Sequence, residues 1–206
     1  MNVIKKALFV IFITVSIFSV FSNQAAEQSP YKVLASVGRQ LFEHIAILPE
    51  EQRKNSQIMR ALINKDLMPH IDYRYTAYKI LGKYVKTASK SQRNEFVRVM
   101  HDYLVITYAQ ALTQYKDQQV RYEADKDIGT KRIAIVRTEI VKQGAPTIKI
   151  EFKLRKNKKT GQWKAFDMVV EGISLLSSKQ AEITRQIREV GLDEVIEQIR
   201  KRVNAV

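Results

Sequence analysis

Apolar residues recur along this chain at two intervals, near four and then two, before the longer interval returns. Val33, Val37, Leu41 and Ile45 fall at every fourth position, which is one face of a helix and predicts an amphipathic helix ending before Pro49. A charged connection over 50–56 follows. Ile58 with Leu62, and Met59 with Ile63 and Leu67, then predict a second helix stopped near Pro69. A third is expected from Asp72 as N-cap to about Gly82. Ser89 and Gln92 have the capping-box spacing and open the longest pattern, Phe96, Met100, Leu104, Tyr108 and Leu112. Over 89–115 that helix spans about 40 Å, enough to lie across a whole sheet.

The interval then drops to two. Val120, Tyr122 and Ala124 alternate with charged or polar residues, and 133–141 is rich in β-branched and apolar residues on both sides. Ile148, Ile150, Phe152 and Leu154 alternate with Lys149, Glu151, Lys153 and Arg155, the pattern of a strand with one face in the core and one in water. The turn-rich stretches 143–146 and 157–161 are short, so neighbouring strands should form hairpins. The last strand places Phe166, Met168 and Val170 on one face and Trp163, Ala165, Asp167 and Val169 on the other. After a Glu171-Gly172 turn, with Ser174 or Ser177 as a helix cap, Ile183, Ile187 and Val190 restore the helical interval up to Gly191. A final helix is expected from Asp193 as N-cap through Val195, Ile196, Ile199 and Val203. Helices, a meander of four antiparallel strands, then helices: the fold class is α+β.

Composition and charge narrow the function. At 206 residues, 45% hydrophobic and 27% charged, the chain has an ordinary globular make-up and one-domain length. It has no cysteine, which excludes disulfides, thiolate metal sites and cysteine nucleophiles. Lys5 and Lys6 precede a nearly unbroken apolar run over 8–21, and Ala25 and Ala26 follow it. That is the order of a secretory signal peptide over 1–26, ahead of a single domain over 27–206. A cut after Ala26 places Gln24 at the −3 position and a cut after Ala25 places Asn23 there, so an uncleaved anchor stays open. Either way the body of the protein is expected outside the cytoplasm. The net charge is +14, of which Lys5 and Lys6 account for the only charges before residue 27, so the domain carries +12. Such a balance favours anionic membrane surfaces or acidic protein faces as partners. Lys153, Arg155, Lys156, Lys158 and Lys159 crowd one hairpin, and Lys179, Arg185, Arg188, Arg200, Lys201 and Arg202 line the last helices.

Catalytic signatures are sparse. Asp167 and Glu171 stand next to a buried strand and serve either as structural hydrogen-bond acceptors or as a general acid and base. His44, His70 and His101 fall on three different segments without ligand spacing, so no metal site is expected. There is no Gly-x-Ser-x-Gly, Walker or Gly-rich phosphate loop, no nucleic-acid-binding signature, and no sign of a cofactor.

Two stretches carry a resemblance. LGKYVKTASKSQRNEFVRVMHDYLVITYAQALTQY over 81–115 and WKAFDMVVEGISLLSSKQ over 163–180, with its aromatic-Asp-x-x-x-Glu-Gly-x-Ser core, are similar to the toluene-tolerance/MlaC family. The likeness runs from Pro30-Tyr31 to about Val190. It implies an NTF2-like fold whose curved sheet and helices enclose an apolar pocket. It further implies a periplasmic phospholipid carrier that shuttles between an outer-membrane lipoprotein–porin complex and an inner-membrane ABC transporter with an MCE-domain subunit, maintaining outer-membrane lipid asymmetry. Candidate pocket residues are Ile135, Ile150, Phe152, Phe166, Met168 and Val170 from the sheet, with Met100, Leu104 and Tyr108 from the long helix. Close-packed core and pocket wall both require apolar side chains on one face, so sequence leaves either role open to each. An enzyme using Asp167 or Glu171 and a basic adaptor with a filled core are the competing readings.

Overall fold

The computed structural model describes residues 29–113, 115 and 118–205, so the expected signal peptide lies outside the described residues. Helix α1 (Pro30–Ala46) starts where Ser29 accepts from the Lys32 amide and Pro30 supplies a fixed φ for the first turn. The charged connection folds into a short helix, α2 (Glu50–Lys54). The second expected helix is α3 (Ser56–Leu62), which widens into a π-helical turn at Ile63–Leu67 and ends in a 3-10 turn at Met68–His70. Helix α4 (Tyr73–Leu81) is capped by Asp72, which accepts from the Tyr75 amide at 3.1 Å.

Helix α5 (Lys90–Thr113) has 24 residues, a length of about 36 Å. Its capping box is reciprocal: the Ser89 amide donates to Gln92 Oε1 at 2.9 Å and the Gln92 amide donates to Ser89 Oγ at 3.1 Å. Strands β1 (Gln119–Tyr122), β2 (Ile133–Val141), β3 (Ile148–Lys156), β4 (Trp163–Val170) and β5 (Ile173–Ser174) form one antiparallel meander in chain order. The fifth strand adds one to the expected four. It exists because Glu171 (φ 47°) and Gly172 (φ 83°) both take left-handed backbone angles and fold the chain straight back. Helices α6 (Leu175–Val190) and α7 (Leu192–Asn204) complete the chain. Ser174 caps α6. Gly191, rather than Asp193, holds the cap position of α7, and Asp193 instead accepts from Gln92 at the start of α5.

Two cores result. One lies between the sheet and α1, α3 and α5, where Leu41, Ile45, Met59, Val105, Val136 and Leu154 are buried together. The other lies among α4, α5, α6 and α7, around Phe96, Met100, Ile183 and Val195. The face directions of β4 are not uniform. Leu154 pairs with Ala165, but Lys153 pairs with Asp167, so Phe166 is an extra residue in a β-bulge. Ala165 and Met168, three apart, therefore share the inner face with Leu154 and Phe152, while Phe166 and Asp167 point the other way.

Candidate functional site

The inner face of the sheet is apolar apart from Thr138 and the Tyr122 hydroxyl, and its two ends are treated differently. Cross-strand pairing puts Ala134 with Leu154, Val136 with Phe152, Thr138 with Ile150 and Ile140 with Ile148 on this face. β1 adds Tyr122 opposite Thr138 and Val120 opposite Ile140, and β4 adds Met168 opposite Phe152 and Val170 opposite Ile150. At the first end, Ala134, Val136, Leu154, Trp163 and Ala165 are buried beneath the helices. Toward the other end, Val120, Ile140, Ile150, Met168 and Val170 are only half-buried and belong to neither core. At the rim, Ile148 is 43% exposed and Ile173, paired with Val170, is 62% exposed. Gly38 in the middle of α1 passes close to the Tyr122 hydroxyl, where a Cβ would stand 2.1 Å from it.

The result is an apolar strip, continuous with the core at one end and open to water at the other. α5 contributes Leu104 and Tyr108, which pack with Phe152 against the sheet-side core. Burial pushes the Tyr108 hydroxyl up to about 12, and the negative charge of Asp167 adds to the shift, so this group stays neutral across ordinary pH. Such a strip has one chemical capacity, the removal of apolar matter from water. Each side chain like Ile or Met gains about 1.5–3 kcal/mol on full burial, so several half-buried ones offer a ligand a substantial fraction of that.

Of the nine residues singled out from sequence, Ile150, Phe152, Met168 and Val170 share this face, and Leu104 and Tyr108 pack with Phe152 at its buried end. The other three do not. Ile135 pairs with Lys153 on the opposite face and is 40% exposed, because the buried alternation of β2 falls on Ala134, Val136 and Thr138. Phe166 is turned outward by the bulge, where its ring meets Tyr75 edge-on at 5.2 Å. Met100 is 1% exposed in the helical core, on a side of α5 away from the sheet. Val120, Ile140, Ile148 and Ile173 were missed; their signal was strand register, which a single sequence does not display.

Asp167 and Glu171 are committed to the fold. Asp167 accepts from Lys153 Nζ at 2.9 Å, from Ser174 Oγ at 2.8 Å and from the Leu176 amide at 3.1 Å, which pins the start of α6 to β4. Glu171 accepts from the Lys149 amide at 2.6 Å and holds its own turn. The histidines serve separate contacts. His44 Nδ1 meets buried Asp66 in the π-helical turn at 2.6 Å, and His101 packs edge-on against Tyr73. Burial, with nearby Lys164, lowers His70. Among the described residues no group of His, Asp and Glu is arranged to hold a metal, and no helix is long and apolar enough to cross a membrane.

Comparison with known proteins adds an independent line. A family model described as MlaC protein matches residues 36–201. A protein of Haemophilus influenzae named intermembrane phospholipid transport system binding protein MlaC is 31% identical over 199 residues, covering 95% of this chain and 93% of that one. Among solved structures, a phospholipid-binding protein from Ralstonia solanacearum in complex with a phospholipid superposes with a TM-score of 0.77. That match covers 86% of this chain and 98% of the other at 18% identity, a likeness of fold.

Proposed function

This chain belongs to the MlaC protein family, and from that membership we propose that it is a periplasmic phospholipid carrier whose inner sheet face takes the acyl chains. The observation that carries the reading is the half-buried apolar strip formed by Val120, Ile140, Ile150, Met168 and Val170, open at Ile148 and Ile173. A diacyl lipid has about 30 methylenes to keep from water, each worth about 0.8 kcal/mol. A carrier needs an apolar surface of comparable quality, and it must not bind so tightly that release to a membrane fails. A site left partly open meets both conditions. The charged head group stays at the rim, in water, and the chemistry requires no bond to be made or broken.

In this reading the protein passes lipid between an outer-membrane lipoprotein–porin complex and an inner-membrane ABC transporter carrying an MCE-domain subunit. The +12 charge of residues 27–206 supports docking on acidic faces of such partners. The test is organic extraction of the purified protein followed by mass spectrometry. Phospholipid recovered in roughly stoichiometric amount is expected. A protein that purifies free of lipid and takes none from liposomes overturns the proposal.

A further inference from the structure

A cleft of about 150 Å³ lies among α5, α6 and α7, on a side of α5 away from the sheet. It is smaller than the roughly 300–1,000 Å³ of pockets that hold drug-sized ligands, and far too small for a diacyl lipid. Its walls have two characters. Met100, Ile183 and Ile199 are buried and give it an apolar floor. Lys179 and Arg202 stand over the ring of Tyr103, with Nζ 4.8 Å and Cζ 5.7 Å from its centroid, and the amides of Gln186 and Gln198 complete the rim.

The charges of this rim are not balanced. Lys179 is paired with Glu182 at 2.6 Å. Burial lowers Lys179, but its bonds to Glu182 and Tyr103 outweigh that, so it remains an ammonium. Arg202 forms no ion pair among the described residues, so the lining keeps one uncompensated positive charge on a planar fork of donors. The aromatic face beneath it restrains the guanidinium without consuming those donors. A single negative charge balances the site. A phosphate dianion overshoots and meets Glu182.

We propose that this cleft is a second binding site, separate from the sheet face, that takes a carboxylate carried on a short aliphatic stem. The stem lies on Met100, Ile183 and Ile199, and the carboxylate is held by Arg202, with Gln186 and Gln198 as further donors. Two sources present that chemistry: a glutamate side chain on an acidic partner segment, and a free short-chain acid.

The test is a ¹³C-methyl NMR titration of the full protein with butyrate and with a hexaglutamate peptide, at matched ionic strength. Saturable shifts of the Met100, Ile183 and Ile199 methyl groups are expected, with the Ile150 methyl unmoved. Arg202→Gln should weaken the interaction by at least about tenfold, the size of one charge-assisted hydrogen bond. Arg202 is exposed, so a thermal melt of that variant should match the parent. Peptide binding about tenfold tighter than butyrate assigns the site to a protein partner, and equal or weaker peptide binding assigns it to a free acid. Non-saturating shifts with both ligands, or shifts that persist unchanged in Arg202→Gln, overturn the site. Lipid retention is measured separately, so failure of the carrier reading and failure of this one are distinguishable.

Discussion

The two ends of the inner sheet face are made of the same kinds of residue and have opposite fates. At one end Val136 and Leu154 are sealed beneath α1 and α5, with 0% and 1% exposure. At the other, Ile150 of β3 and Val170 of β4 face the same way and remain half open. The difference is not hydrophobicity but what lies above. A protein that only needed a core would close both ends, because uncovered apolar surface forfeits free energy. The closed end carries the fold, and the open end is the surface to which the proposed lipid site is assigned.

The largest effect that can test this contrast is a buried charge. Val136→Asp should cost several kcal/mol and unfold the protein, because an unpaired carboxylate has no partner in that core. Val170→Asp should leave the circular dichroism melt close to the parent and abolish co-purified phospholipid. If Val170→Asp unfolds the protein as Val136→Asp does, the open end is ordinary core. Truncation gives a smaller version: Leu154→Ala should cost about 2–5 kcal/mol in denaturant unfolding, and Ile150→Ala clearly less. Asp167→Asn separates structure from chemistry. It weakens the links to Lys153 and the start of α6, a loss of about 1–3 kcal/mol, and should leave lipid binding intact in whatever fraction stays folded. Ile135→Lys should change stability by no more than about 0.5 kcal/mol and leave lipid retention unchanged, since that side chain is on the far face.

A pH titration adds a spectroscopic test. Tyr108 keeps its proton in the folded state up to about 12, against an ordinary value of 10.0. The stability tied to this shift is fully present below the unfolded value and is lost as pH rises from about 10 toward 12. Ultraviolet titration of tyrosinate should show one late-titrating phenol that disappears in Tyr108→Phe.

Much of this was legible in the residues. The four-residue interval of α5, its Ser89–Gln92 box, the Asp72 cap and the Glu171-Gly172 turn are local signals, and local signals survive into the structure. What depended on contact at a distance was not legible. Period-two alternation gives two faces for β2 but not which one is covered, so Ile135 was placed with the wrong neighbours. A bulge leaves the burial alternation of β4 unbroken, since Asp167 and Val169 are buried on the other side, and Phe166 was misassigned for that reason. Met100 follows the same four-residue stripe as Leu104 and Tyr108. A helix touching two cores splits such a stripe between them, and the split is set by where α6 and α7 dock.

The extra residue in β4 acts as a phase shifter. A strand running regularly through Phe166, without the bulge, would send Met168 and Val170 outward and draw Val169 in. The bulge thus separates a greasy lining from a greasy exterior, and deletion of Phe166 alone, which restores regular alternation, leaves Met168 and Val170 facing inward.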